Sequence, residues 1–245
     1  MITLLVLSKY QDIFDQFLAS YNEFGRDDIE HRRLLVTEEV KAPEGWDVAQ
    51  FTERFDQSKG MNFALSHATG DVAFFSDDIQ FTHTRTIEGL HDAAYSRPDV
   101  GVVSPKIWGN VSKREQWGSE RQEGPLVIAT CLCYVSMYFK EQALRESDPF
   151  DEAMNGICWE DVDHSLSLGK AGWKSAVTPT VLIKHGFGDR GDAATWKRKT
   201  DLMPNGMSHN QHYFGVKWHK KLDFLEPLEA DDWINAVLKQ IQEGK

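Results

Sequence analysis

The sequence predicts an α/β fold with a mostly parallel central sheet flanked by helices and a small helical extension at the C-terminal end. Strand-like and helix-like patterns alternate along the chain, two apolar strands end on ionisable residues, and no repeat or low-complexity tract interrupts the alternation. Parallel strands joined by right-handed crossovers produce such a pattern. With 245 residues the chain has room for one domain with a sizeable core.

The elements follow in order. ITLLVLSKY opens with a strand, after which Tyr10, Ile13, Phe17 and Tyr21 fall on one helical face. Residues 31–36 lead into a second strand, RRLLV. In DVAFFSDDIQF, the apolar run from Val72 to Phe75 suits a strand buried on both faces. Ile87, Leu90, Ala94 and Tyr95 suit a helix before VGVVSP. Residues 109–125, rich in Gly, Lys, Arg, Glu and Gln, read as a mobile loop or insertion, and LVIATCLCYVSM as one long strand after it. Glu160, Asp161 and Asp163 open a helical pattern that Gly172 closes, and SAVTPTVLIKHGFG is another apolar strand. In DDWINAVLKQIQ, Trp233, Val237 and Ile241 form one stripe with Ile234 and Leu238 beside them, a face for docking on the core.

Two strand ends carry candidate chemistry. The first delivers Asp77 and Asp78 to the edge where ligands meet the sheet in α/β proteins. Adjacent carboxylates repel each other unless neutralised by a divalent cation on a phosphate or solvated in a turn. The second ends on His185 in a Gly-flanked loop. His185 and the Asp pair converge on one metal if their strands are neighbours in the sheet. Glu160, Asp161 and Asp163 also complement a helix macrodipole, which needs no catalytic role.

Together these segments resemble the family 2 glycosyltransferases, enzymes of the Rossmann-like GT-A fold, over most of the chain. KGMNFALSHATGDVAFFSDDIQF is similar to the family's helix, Gly-Asp turn and DxD-type metal strand. Phe150-Asp151-Glu152, Glu160-Asp161-Val162-Asp163, Ala171-Gly172-Trp173, Pro179 and His185, in that order, are similar to its acceptor-side signature. HNQHYFGVKWHKK resembles the Tyr-Phe and Lys-Trp pattern that follows. The resemblance implies a GT-A domain over 1–188, with a nucleotide-sugar half at 1–81 and an acceptor half at 100–188, and a helical extension over 189–245 packed on it. The family's first DxD aspartate is Ser76 here, so a hydroxyl replaces one carboxylate.

The implied activity is metal-dependent, inverting transfer of a sugar from a nucleotide-sugar donor, a UDP-sugar foremost, to an acceptor hydroxyl. Asp78 and His185 would hold Mn²⁺ or Mg²⁺, a Lewis acid for the departing diphosphate. Asp77 would sit near the ribose and phosphates, with Ser8, Tyr10, Glu38 and Asn62 as further nucleotide-sugar contacts. Ser8, Tyr10 and Glu38 also suit plain surface, and Asn62 a local helix cap. An attacking hydroxyl must lose its proton to a carboxylate on the opposite face of the sugar. That role falls to the pair Asp161 and Glu160, with Asp161 preferred.

The net charge of −11 weighs against a nucleic-acid coat protein. Residues 184–221 nevertheless hold eight Lys and Arg against three Asp, a net +5 that leaves −16 on the remainder. Such a segment suits the donor diphosphate, a polyanionic acceptor or a solvated helix face. SDD and VGVVSPKIWGNV are similar to short, phage-type members of the family, some of which modify hydroxymethylated DNA bases. On that reading Lys197, Arg198 and Lys199 matter for binding, and Trp108, Trp117, Trp159 and Trp173 offer stacking faces or buried packing.

Two rivals come from other classes. A nucleotidyltransferase would show a Gly-rich phosphate loop, which SKYQDIF lacks, and an inactive nucleotide-sugar binding protein is suggested by Ser76. The odd count of Cys131, Cys133 and Cys158 predicts reduced thiols rather than a disulfide framework. With neither a signal peptide nor an apolar run of roughly 20 residues, the expected location is cytoplasmic, in a host cell if the chain is phage-encoded.

Overall fold

The computed structural model describes residues 1–26, 29–53, 56–109, 120–155, 158–186, 206–225 and 233–244. In chain order the elements are β1 (Ile2–Leu7), α1 (Gln11–Ser20) running into a π-helical turn (Tyr21–Gly25), β2 (Arg32–Thr37), β3 (Asp47–Gln50), α2 (Gln57–His67), β4 (Asp71–Ser76) and β5 (Ile79–Phe81). Then come α3 (Thr86–Tyr95), β6 (Val100–Gly109), β7 (Glu120–Glu123), β8 (Leu126–Ala129), β9 (Ser136–Phe139), α4 (Glu141–Glu146), α5 (Glu160–Lys170), β10 (Lys174–His185), α6 (Gly206–Trp218) and α7 (Trp233–Gln242).

The strands form one sheet in the order β3-β2-β1-β4-β9-β6-β10-β8-β7, with β5 added on β10. β1, β2, β3, β4, β6 and β10 run the same way, while β9, β8 and β5 run against them. All six residues of β1 are buried because both faces of the sheet are covered. On one face Leu4 and Val6 meet Phe14 and Phe17 of α1 and Ile87 and Leu90 of α3. On the other, Leu5 and Leu7 meet Met61 and Ala64 of α2, with Ala143 of α4 and Leu168 of α5 further along. A third cluster joins Trp159, Val162 and Leu166 to Phe214, Trp218, Leu238 and Ile241, which docks α6 and α7 on α5. Leu238 and Ile241 of the predicted C-terminal stripe are thus buried, and Val237 packs beside them.

Three expectations change. LVIATCLCYVSM is two strands rather than one, β8 antiparallel to β10 and β9 set between β4 and β6. Between them the backbone turns to α5 for partners, with Leu132 N–H donating to Ser165 Oγ (3.1 Å) and Tyr134 N–H to Asp161 Oδ2 (3.3 Å). The expected loop at 109–125 ends in a hairpin, β7 and β8 turning at Gly124, whose φ of 64° suits glycine; residues 110–119 lie outside the described residues. Lastly, β4 and β10 are not neighbours, since β9 and β6 separate them. No helix among the described residues is long and apolar enough to cross a membrane.

Candidate functional site

β5 makes the connection that the separation of β4 and β10 denies. After β4 ends at Ser76, Asp77 and Asp78 turn the chain, and β5 pairs antiparallel with the end of β10, placing Ile79 opposite His185. Gly186 N–H donates to the Asp78 carbonyl (2.7 Å), and His185 Nε2 lies 3.4 Å from Asp78 Oδ1. Gly109 faces His185 at φ 106°, where a Cβ would run into the His185 carbonyl. Ser76 Oγ donates to Asp78 Oδ1 (2.5 Å) and Ser8 Oγ to Asp77 Oδ2 (2.7 Å), which joins the ends of β1 and β4.

These residues suit a divalent cation. Two ligands about 2.1 Å from one ion at right angles stand about 3 Å apart, near the observed 3.4 Å. His185 Nδ1 is buried without a partner among the described residues. No group of three or more His, Cys, Asp or Glu is assembled among the described residues. A cation here would rely on donor phosphate oxygens and water for its other ligands, as Mg²⁺ commonly does.

Beside Asp77 a shallow, open cleft is lined by Leu7, Ser8, Lys9, Thr37, Glu38, Phe51, Glu53 and Gly60, among others. Glu38 forms an ion pair with Lys9 across it at 3.7 Å. Gly60 leaves Leu7 its place, because a Cβ there would press on the Leu7 side chain at 3.1 Å. Tyr10 precedes α1 and is not among the residues lining this cleft. Asn62 lies in the interior of α2, whose cap is Asp56, and fastens the segment before α5: it accepts from Phe150 N–H (3.0 Å) and donates to Phe150 O (2.9 Å) and Glu152 (3.0 Å).

The acidic pair opens α5 from a strained approach. Cys158 (φ 68°) and Trp159 (φ 74°) both take left-handed backbone, which bulky residues rarely adopt. Asp161 is anchored by N–H groups from Val162 (2.8 Å, to Oδ1) and Tyr134 (3.3 Å, to Oδ2). Burial raises its pKa above the usual carboxylate range, and those N–H bonds oppose the rise. Glu160 is pushed higher, by burial first and then by the charge of Asp161, and its Oε2 is buried with no partner among the described residues. Asp56, the α2 cap, adds to that push, so the start of α2 stands near the pair.

Several residues at this site were not singled out for it in the sequence. Asp163 is buried and accepts from Trp218 Nε1 (2.7 Å) and Lys217 Nζ (2.8 Å). Lys217 also reaches Asp151 (2.8 Å), to which Tyr213 donates (3.1 Å). Their signals were the Phe-Asp-Glu, Glu-Asp-Val-Asp, Tyr-Phe and Lys-Trp pieces. Lys217 is thereby matched internally and is no part of a free basic surface, while Lys197, Arg198, Lys199 and Trp117 lie outside the described residues. Trp159 is buried, Trp173 donates to Glu146 (3.0 Å), and Trp108 is 44 % exposed with Lys184 Nζ 5.3 Å from its ring centre. No disulfide joins any of the three cysteines.

The mostly parallel sheet flanked by helices is that of the GT-A fold, and solved structures of glycosyltransferases share this fold. The mannosyltransferase PcManGT from Pyrobaculum calidifontis, in complex with GDP-Man and Mn²⁺, superposes with a TM-score of 0.65 at 14% identity, covering 98% of this chain and 69% of its own. GalNAc-T7 with UDP, GalNAc and Mn²⁺ gives 0.62 at 10% identity, over 99% of this chain and 54% of the other. TarS of S. aureus gives 0.63 at 13% identity, over 98% of this chain and 42% of the other. The chain thus spans about half or less of the last two. No family model matches the sequence, and no curated protein matches it significantly.

Proposed function

We propose that this chain is a metal-dependent glycosyltransferase that moves a sugar from a nucleotide-sugar donor to an acceptor hydroxyl with inversion. The observation that carries the reading is the meeting of Asp78 and His185 at one sheet edge, tied through Val135 and Tyr134 to the Glu160 and Asp161 pair. Ser76 N–H donates to Val135 O (2.9 Å), and Tyr134 N–H donates to Asp161. The Mn²⁺-bearing neighbours, holding GDP-Man in one case and UDP with GalNAc in the other, support a nucleoside diphosphate donor with Mn²⁺ or Mg²⁺.

Asp78 and His185 would hold the cation, which offsets the charge gathering on the departing diphosphate. The cleft at Ser8, Lys9 and Glu38 takes the nucleoside, with Glu38 as the acceptor for base N–H groups. Asp77, fixed by Ser8, faces the ribose and phosphates. Asp161 takes the proton from the acceptor hydroxyl as its oxygen bonds to the anomeric carbon and the bond to the diphosphate breaks. Burial and the charge of Asp161 favour the protonated form of Glu160, which would limit charge repulsion within the pair.

Thermal stabilisation by UDP- and GDP-sugars with Mn²⁺ or Mg²⁺, followed by release of the nucleoside diphosphate, tests this reading. Stabilisation that needs metal and Asp78, with turnover lost in Asp161→Asn, is the expected result. Metal-independent stabilisation without turnover would return the chain to the class of binding proteins. For the acceptor, exposed Trp108 beside Lys184 favours a flat, anionic molecule such as a hydroxymethylated DNA base in its strand. Turnover on such DNA that falls steeply with salt would support that acceptor, and indifference to salt would remove it.

A further inference from the structure

Helix α6 lies against the turn that presents Glu160 and Asp161, and it touches the turn or the first turn of α5 at four places. Asn210 Nδ2 donates to the Cys158 carbonyl (2.9 Å), and the Phe214 ring packs on Trp159 with centroids 4.8 Å apart. Lys217 and Trp218 hold Asp163, whose own N–H makes the first α5 hydrogen bond, to Trp159 O (2.8 Å). Positions 210, 214, 217 and 218 share one helical face, so a single rigid element supplies all four contacts. The same Lys217 reaches Asp151, next to Phe150, whose backbone Asn62 of α2 fixes. Strained backbone persists only where its surroundings over-determine it, and the strain here falls on the two residues before the acidic pair.

We propose that α6 is a clamp that holds the left-handed Cys158–Trp159 turn, and with it Glu160 and Asp161, where the acceptor hydroxyl arrives, making Asn210 and Lys217 positioning residues. The inference rests on the reading of Glu160 and Asp161 as the proton-accepting pair. Without the clamp the turn relaxes toward ordinary backbone and swings both carboxylates, while the donor cleft, built on β1, β2 and α2, keeps its shape.

The test uses the full chain as wild type, N210A, K217M, K217R, D161N and the double variant C158G/N210A. UDP-glucose, UDP-N-acetylglucosamine and GDP-mannose serve as donors with Mn²⁺ at 25 °C, read by nucleoside diphosphate release, by donor affinity from thermal shift, and by amide exchange across 158–166. N210A and K217M are expected to lower turnover at least tenfold with donor affinity within twofold of wild type, and to speed exchange in 158–166 alone. K217R should stay within threefold of wild type, since it keeps the charge. C158G should restore part of the N210A loss, because glycine accepts a φ near 68° without strain. Turnover within twofold of wild type in both single variants overturns the proposal. So does a loss that accompanies faster exchange throughout the chain and is not relieved by C158G, since α6 would then only hold the fold together. If D161N keeps wild-type turnover, the base assignment fails by itself. Should no donor turn over, faster exchange confined to 158–166 in N210A, slowed again by C158G, supports the clamp, and unchanged exchange overturns it.

Discussion

His185 Nε2 stands 3.4 Å from Asp78 Oδ1 although the strands that carry the two residues are separated in the sheet by β9 and β6. The three residues of β5 close that gap by pairing with the end of β10. Asp78→Ala is therefore expected to abolish the Mn²⁺-dependent part of the thermal shift given by UDP or GDP, and His185→Ala to weaken Mn²⁺ at least tenfold. An unchanged Mn²⁺ titration in both variants would remove the metal from this edge.

Ser76 occupies Asp78 Oδ1 with a hydroxyl hydrogen bond at the position where the resembling family carries a carboxylate. Ser76→Asp should lower Tm without metal, through repulsion among three adjacent carboxylates, and should reduce the Mn²⁺ concentration needed for half-maximal stabilisation. A variant whose Mn²⁺ titration overlays that of wild type would show that residue 76 stays outside the coordination.

The Glu160 carboxyl is raised well above the usual range by burial and by Asp161, so the folded chain binds this proton more tightly than the unfolded chain does. Its contribution to stability is full below about pH 4.3, the unfolded value, and is lost as pH rises through the folded value. Glu160→Gln removes that loss. It should raise Tm by about 2 °C or more at pH 8 and less at pH 5, while lowering turnover. Equal changes in Tm at the two pH values would contradict the raised pKa.

His164 is brought down to about 3, by burial and then by the charge of Lys217, while it stacks on Phe150 (4.1 Å) and pairs with the Tyr134 hydroxyl (3.0 Å). A depressed histidine leaves the fold fully stable above the unfolded value of about 6.5 and costs stability as pH falls from there toward 3. The decline of Tm over that acid range should be shallower in His164→Gln than in wild type. An NMR signal from His164 that titrates near pH 6.5 would refute this.

Glu38 pairs with Lys9 at the rim of the cleft beside Asp77, and on the proposed reading it would accept from donor groups on the base. Glu38→Ala should weaken the preferred donor about tenfold, roughly 1.4 kcal/mol, and reduce the preference among nucleobases, with a smaller change in turnover at saturation. Equal weakening for every base would make Glu38 a general support rather than a reader.

The parts of the fold that were legible in the sequence are those with strong local pattern. Val72 to Phe75 announces its strand by a continuous apolar run and the strand ending at His185 by two apolar stretches around Thr178-Pro179-Thr180, and each delivers its polar residues to the same edge. β5 was not legible because three residues carry no periodicity, yet it brings Asp78 to His185. The division of LVIATCLCYVSM was hidden because no Gly or Pro marks it; the break is imposed by distant partners, Ser165 and Asp161. Asn62 looked like a nucleotide contact or a cap, and its amide is instead used across the molecule on Phe150. The joining of Asp151, Asp163 and Lys217 likewise depends on which helix lies beside α5, and composition does not encode that.

Two hydrogen bonds at Tyr134 and Val135 tie the strand of Asp77 and Asp78 to the helix of Glu160 and Asp161. On the proposed reading, the span between the departing diphosphate and the arriving hydroxyl would be set by a few residues of interior backbone. On the same reading, surface segments that meet the acceptor could then change in length and sequence without altering the dimensions of the reacting centre.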